Sequence, residues 1–220
     1  MAESASDRFA RWRLQDLLLR HSGLRIMPNS GDDLLLAGDL PFRATGPDGR
    51  TVEDCYAIEI RVQSTFPRGI PTVRETGGRI APAFHKLEGD LLCLGARTEI
   101  QIQLATAPTL LGFVDRLVIP YLFGHSYHEA HGVMPFGELE HGRDGLLQYF
   151  ASLFRAPSRA AARVFVHLTS LRRRVANKEP CPCGSHRRLG RCHNRQVNRL
   201  RKLLGRSWFR GEFNAIATDE

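Results

Sequence analysis

The chain of 220 residues has no apolar run of membrane length, although 42% of it is hydrophobic. That excludes a spanning helix, which needs about 20 consecutive apolar residues. Its start, Met1-Ala2-Glu3 followed by polar residues, lacks the basic end and apolar stretch of a secretory signal. There is no glycine-rich phosphate loop, which excludes nucleotide chemistry of the kind built on one. Cysteine is scarce: Cys55, Cys93, Cys181, Cys183 and Cys192 are the whole set. Three of these lie in one short segment, a crowding that suits a metal site in a reducing compartment better than a disulfide framework. A cytoplasmic location is expected. Acidic residues run short toward the end of the chain, where Ala156 to Glu220 holds 15 Lys/Arg against 4 Asp/Glu. The net charge of +8 is therefore a basic tail of +11 on a body of −3. Such a tail attracts phosphates and acidic surfaces, or is simply a solvated helical face.

The body reads as a helix followed by strands. Ser6 or Asp7 can cap a helix to about His21, with Ala10, Leu14, Leu17 and Leu18 on one face and Gly23 as its stop. Leu34–Thr45 and Val52–Thr65 read as strands joined by Gly46-Pro47-Asp48-Gly49. In the second, Tyr56, Ile58, Ile60 and Val62 alternate with polar residues and face a core. Cys55, at the start of that strand, reads as a small half-buried residue. Thr98 to Leu104 alternates and suggests a short strand. Thr109 to about Tyr121 suggests a helix ending near Pro120. His125, His128 and His131, set among glycines, read as a loop packed over a cysteine, with His141 further on. Their three-residue spacing does not put them on one helical face, which weighs against a metal site. Asp144 begins a helix with Leu146, Tyr149, Phe150, Leu153 and Phe154 inward, and Ser158 caps another running into Arg172-Arg173-Arg174.

The stretch from Arg61 to Gly95 passes from a strand through Phe66-Pro67 and Ile70-Pro71, stays irregular to Phe84, and closes on His85 and Cys93. This order resembles the catalytic half of ubiquitin-conjugating enzymes and their bacterial relatives. The resemblance implies that Cys93 carries an activated protein C-terminus as a thioester. His85 would be the hydrogen-bond donor or base beside it, or would only fix the loop, since the family's His-Pro-Asn is here Phe84-His85-Lys86. Taken alone, Leu91-Leu92-Cys93-Leu94 reads equally well as buried core.

A second motif follows. Pro180-Cys181-Pro182-Cys183-Gly184-Ser185 leads to Cys192-His193, three thiolates and one imidazole with a spacing suited to a tetrahedral metal. It resembles the SEC-C zinc motif, so Cys181, Cys183, Cys192 and His193 are the expected ligands of a structural zinc. The segment is too small for a core of its own, so metal binding would supply its folding energy. After it, Asn194 onward reads as one basic amphipathic helix with Val197, Leu200, Leu204 and Trp208 on the apolar face.

The expected architecture is α+β. A ubiquitin-conjugating-like domain of helix, antiparallel meander and C-terminal helices spans residues 1–155, a helical linker 156–178, and the zinc motif with its basic helix 179–220. The resemblance implies a transferase whose cargo is the C-terminus of a ubiquitin-like protein or a nucleotidyltransferase, charged by a separate activating enzyme. Bacterial relatives of this kind occur in anti-phage systems built on cyclic oligonucleotides. The alternative is a non-catalytic adaptor, with the basic tail gripping an acidic protein, a ribosome or a nucleic acid. No membrane role is expected.

Overall fold

In a computed structural model of the chain, residues 4–136, 140 and 142–217 are described. They form two compact units, residues 1–137 and 138–220. The expected boundary at 155/156 thus falls inside the second unit. The charge shift there marks a change in composition, whereas the packing changes earlier.

The first unit opens with two helices, α1 (Ala5–Arg11) and α2 (Leu14–Arg20), where one was expected. Ser4, upstream of the expected caps, accepts a hydrogen bond from the Asp7 N–H at 3.1 Å. The break comes at Trp12-Arg13, with Arg13 left-handed at φ 54°. It lets Trp12 bury completely, donate its indole N–H to the Phe66 carbonyl at 3.2 Å, and meet the Phe66 ring edge-on at 5.6 Å. Burying an indole with its N–H satisfied offsets the break in the helical hydrogen bonding. Gly23, expected to stop the helix, is needed for another reason: a Cβ there would lie 2.2 Å from the Asp39 carbonyl oxygen.

The strands are β1 (Leu24–Met27), β2 (Leu34–Thr45), β3 (Thr51–Val62), β4 (Thr72–Glu75), β5 (Lys86–Leu87) and β6 (Leu91–Leu92). They make one antiparallel sheet in the order β1-β2-β3-β4-β6-β5. The β2–β3 hairpin is the expected one, running from Leu34 opposite Val62 to Thr45 opposite Thr51. Tyr56, Ile58, Ile60 and Val62 are all buried, as their alternation requires. Cys55 is exposed rather than half-buried. The Phe66-Pro67 peptide bond is cis.

After β6 the structure departs from the sequence reading. Residues 97–106 form helix α3 (Arg97–Thr106), not a strand. Ile100 and Leu104, spaced i,i+4, satisfy a helix as well as an alternation, and Gln101 fixes the choice by donating to the Arg68 carbonyl at 2.8 Å. Next, α4 (Leu110–Phe113), a π-turn (Val114–Val118) and α5 (Ile119–His131) run on as one helix. Pro120 does not end it. The widened turn, with the Ile119 N–H bonded to the Val114 carbonyl, absorbs the proline's missing donor at the start of α5. The three histidines expected in a loop are therefore on α5, which ends at Gly132 (φ 71°).

The second unit is helical: α6 (Gly142–Phe154), α7 (Arg159–Ser170), α8 (Arg173–Ala176), α9 (Asn194–Leu204) and α10 (Arg206–Ala217). The expected linker helix, α7, is its centre, packed by α6, α9 and α10. Ser158 caps it as expected, accepting from the Ala161 N–H at 3.1 Å. The Phe154 and Phe165 rings stack at 4.9 Å, which ties α6 to α7. The single basic helix expected after Asn194 is divided at Gly205 (φ 84°). Arg201 turns inward and donates to the Thr169 carbonyl at 2.9 Å and to the Leu168 carbonyl. It thereby satisfies carbonyls of the last turn of α7.

Candidate metal centre and the Cys93 hairpin

The backbone of residues 179–193 is folded back on itself so that four ligand side chains meet. Pro180 pairs with Arg188, and the Cys181 N–H donates to the Arg187 carbonyl at 2.8 Å, closing a tight knuckle. Gly184 (φ 79°) makes the turn that brings Cys183 round. A short 3₁₀ turn, Leu189–Arg191, rests on the Glu179 carbonyl through the Leu189 N–H at 2.9 Å and delivers Cys192. His193 stands at the start of α9, its ring edge against Phe165 at 5.0 Å. The buried Leu189 is this segment's main apolar anchor.

The ligand atoms of Cys181, Cys183, Cys192 and His193 all lie within 4.8 Å of one another. Cys181 Sγ and Cys192 Sγ stand 3.1 and 3.3 Å from His193 Nδ1, and the Sγ atoms of Cys183 and Cys192 are 3.5 Å apart. Zinc–sulfur bonds of about 2.3 Å in a tetrahedron give edges of about 3.8 Å, so the four donors surround a volume of the right size. They are close enough to bind a metal ion, and the donor set is compatible with zinc.

The donors sit in unlike electrostatic environments. Burial pushes the Cys181 thiol up to about 12, while the Ser185 hydroxyl brings Cys183 down to about 7. Burial also lowers His193, which keeps the imidazole neutral and ready to ligate. Two outer groups attend the cluster: the Ser185 hydroxyl at 3.3 Å and the Arg187 guanidinium at 3.9 Å from Cys192 Sγ. Three thiolates around a divalent ion carry one surplus negative charge, which Arg187 offsets. Metal binding must displace the thiol protons, so affinity falls as the pH is lowered.

In the first unit, the β5–β6 hairpin brings together the other two expected site residues. Lys86 pairs with Leu92, so the next step in register sets His85 opposite Cys93, and the Cys93 N–H donates to the His85 carbonyl at 2.8 Å. Eight residues of sequence thus become one cross-strand pair. Leu92 is buried in the core at 4% exposure, and Cys93, just past the end of β6, is half-buried. His85 is itself left-handed, at φ 39°.

The histidines of α5 neither converge on a metal nor line a loop. His125 is buried, His128 sits against Phe84 at 5.5 Å, and His131 is exposed beside Tyr127 at 4.4 Å. His141 lies outside the described residues. Spacing of i, i+3 and i+6 turns them progressively round the helix.

The sequence reading missed a polar cluster that runs from buried Tyr56, His125 and Ser126 out to exposed Arg79 and Glu129. The Tyr56 hydroxyl lies 2.8 Å from His125 Nδ1 and 2.7 Å from Ser126 Oγ, and the Ser126 hydroxyl donates to Asp54 at 2.7 Å. Arg79 donates to both Asp54 oxygens at 2.8 Å and to Glu129 at 2.6 Å. Its guanidinium holds the Asp54 carboxyl down at about 2, and burial pushes the Tyr56 phenol up to about 12. The signal was present in Tyr56, because a tyrosine on the core-facing side of a strand must find a partner for its hydroxyl.

No helix among the described residues is long and apolar enough to cross a membrane. Compared with known protein families, curated proteins and solved structures, the chain has no match.

Proposed function

We propose that the chain is a cysteine-dependent transferase of the ubiquitin-conjugating kind, with a zinc-folded, SEC-C-like docking piece. In this reading the Cys93 thiolate attacks the carbonyl of an activated protein C-terminus supplied by a separate activating enzyme. A carbon–sulfur bond forms, and the activating group leaves with its electron pair. An acceptor amine or water then attacks, the carbon–sulfur bond breaks, and the thiolate is restored. His85 is the group beside the thiol. The cargo is the C-terminus of a ubiquitin-like protein or of a nucleotidyltransferase in a bacterial anti-phage system. The metal is structural, since protein side chains fill all four positions around it.

The observation carrying this reading is the placement of Cys93. It is half-buried just past β6, and its backbone N–H is bonded to the carbonyl of the histidine opposite it. The test is a Cys93→Ser protein recovered from its native host. A trapped oxyester, seen by mass spectrometry as a second peptide joined to the introduced hydroxyl, is expected. If that hydroxyl is unmodified while the activating enzyme is active, the transferase reading is lost.

One observation favours the adaptor reading as a second. Arg173, Arg188, Arg191, Arg195, Arg199 and Lys202 are exposed and form no ion pair among the described residues. Full-length protein that binds RNA with a steep salt dependence, and keeps doing so with Cys93 replaced, would support it.

A further inference from the structure

The crossing from Thr76 to His85 has no regular structure, yet it is fastened along its length. The Thr76 N–H donates to the Ala57 carbonyl at 2.8 Å, and the Ile80 N–H to the buried Glu75 carboxylate at 3.1 Å. Between them, Arg79 reaches back to two elements, holding Asp54 of β3 with both branches and Glu129 of α5 at 2.6 Å. Its guanidinium also lies 4.6 Å above the Tyr56 ring. An isolated surface ion pair contributes little, but a bidentate arginine shared by two carboxylates and an aromatic face is geometrically demanding. The far end is tied by Tyr121, whose hydroxyl donates to the carbonyls of Phe84 at 3.1 Å and His85 at 3.3 Å. Phe84 is wedged edge-on against His125 at 4.6 Å.

The fastening ends where the proposed chemistry begins. The His85 carbonyl that receives Tyr121 is the one that receives the Cys93 N–H. A left-handed backbone is unfavourable for a residue with a Cβ, so the conformation of His85 is imposed by what surrounds it.

We propose that Arg79 and Tyr121 are positioning residues for Cys93: together they hold the 76–85 crossing in the conformation that sets His85 opposite the thiol-bearing residue. Arg79 fixes the middle of the crossing to β3 and α5, and Tyr121 fixes its last two carbonyls to α5. The low Asp54 keeps the clamp charged at any physiological pH, and burial keeps Tyr121 protonated as a donor. The clamp is therefore permanent rather than pH-gated. The inference rests on Cys93 being the reactive thiol, but its readout does not need the thioester.

The test uses full-length, metal-loaded protein in a Cys55→Ser background, so that Cys93 is the one thiol outside the metal centre. The rate of iodoacetamide alkylation at Cys93 is followed from pH 6 to 9. His85→Gln is expected to change the profile several-fold. Arg79→Met and Tyr121→Phe are expected to reproduce the His85→Gln profile. Arg79→Met with His85→Gln should add nothing beyond His85→Gln alone, because all three act through one placement. Arg79→Lys should not rescue, since an ammonium cannot make the forked contact. A native profile in His85→Gln, or in both Arg79→Met and Tyr121→Phe, overturns the proposal, as do effects of Arg79→Met and His85→Gln that multiply. Should Arg79→Met not fold, Tyr121→Phe, which loses only a hydroxyl, carries the same comparison. Failure of the transferase reading would show instead as an unmodified Cys93→Ser protein, with the alkylation profile unaffected.

Discussion

In the first unit a six-stranded sheet and its covering helices bury a continuous apolar core, and the cysteines lie outside it. In the second, residues 179–193 have little more than Leu189 for a core, and their cysteines gather inward on one point. The same residue type thus plays opposite parts. Where packing supplies the fold, the thiols are not needed to hold the backbone. Where packing is thin, the thiols stand close enough to bind a metal ion, which would replace the missing apolar contacts.

The strongest way to break this contrast is to remove the metal. Chelation, or Cys181→Ala, should abolish metal binding and unfold residues 179–193, forfeiting a term on the order of 10 kcal/mol. Hydrogen exchange would show quickened amides there, with β2 and β3 still protected. Loss of protection across the sheet would show that the contrast is wrong. A smaller effect is expected from Phe165→Ala, which removes the ring stacked on Phe154 and leaning on His193. It should cost about 3–5 kcal/mol and weaken metal binding as well, measured by thermal melting and by zinc titration.

The smallest concerns the first unit's polar cluster. Asp54 is held at about 2 against an ordinary 3.8. A depressed carboxyl contributes stability that is fully present above its unfolded value and lost as pH falls through the folded one. The contribution is therefore complete above about pH 4, worth about 2 kcal/mol there, and gone below about pH 2. Asp54→Asn should be less stable than the native protein in urea at pH 7, with the difference closing between pH 4 and pH 2.

Strict periodicity made part of this legible in the sequence. The β2–β3 hairpin, the Ser158 cap and the Cys/His knuckle were readable because alternation, a capping hydroxyl and ligand spacing are local signals. The rest was set by partners distant in the chain. Trp12 broke the first helix to reach Phe66, and Gln101 held a helix where alternation suggested a strand. Pro120 was absorbed by a π-turn, and α5 carried the histidines away from the expected loop. The cross-strand meeting of His85 and Cys93 depends on a two-residue pairing too short to leave a pattern. The Arg79 cluster depends on three separate segments, none of which shows it alone.

The claim that the chain keeps two kinds of cysteine is tested most directly by alkylating metal-loaded, full-length protein and locating the adducts by mass spectrometry. Modification of Cys55 and Cys93 alone, with Cys181, Cys183 and Cys192 reacting only after chelation, is the expected result. An unreactive Cys93, or knuckle thiols that react while the metal is bound, would contradict it.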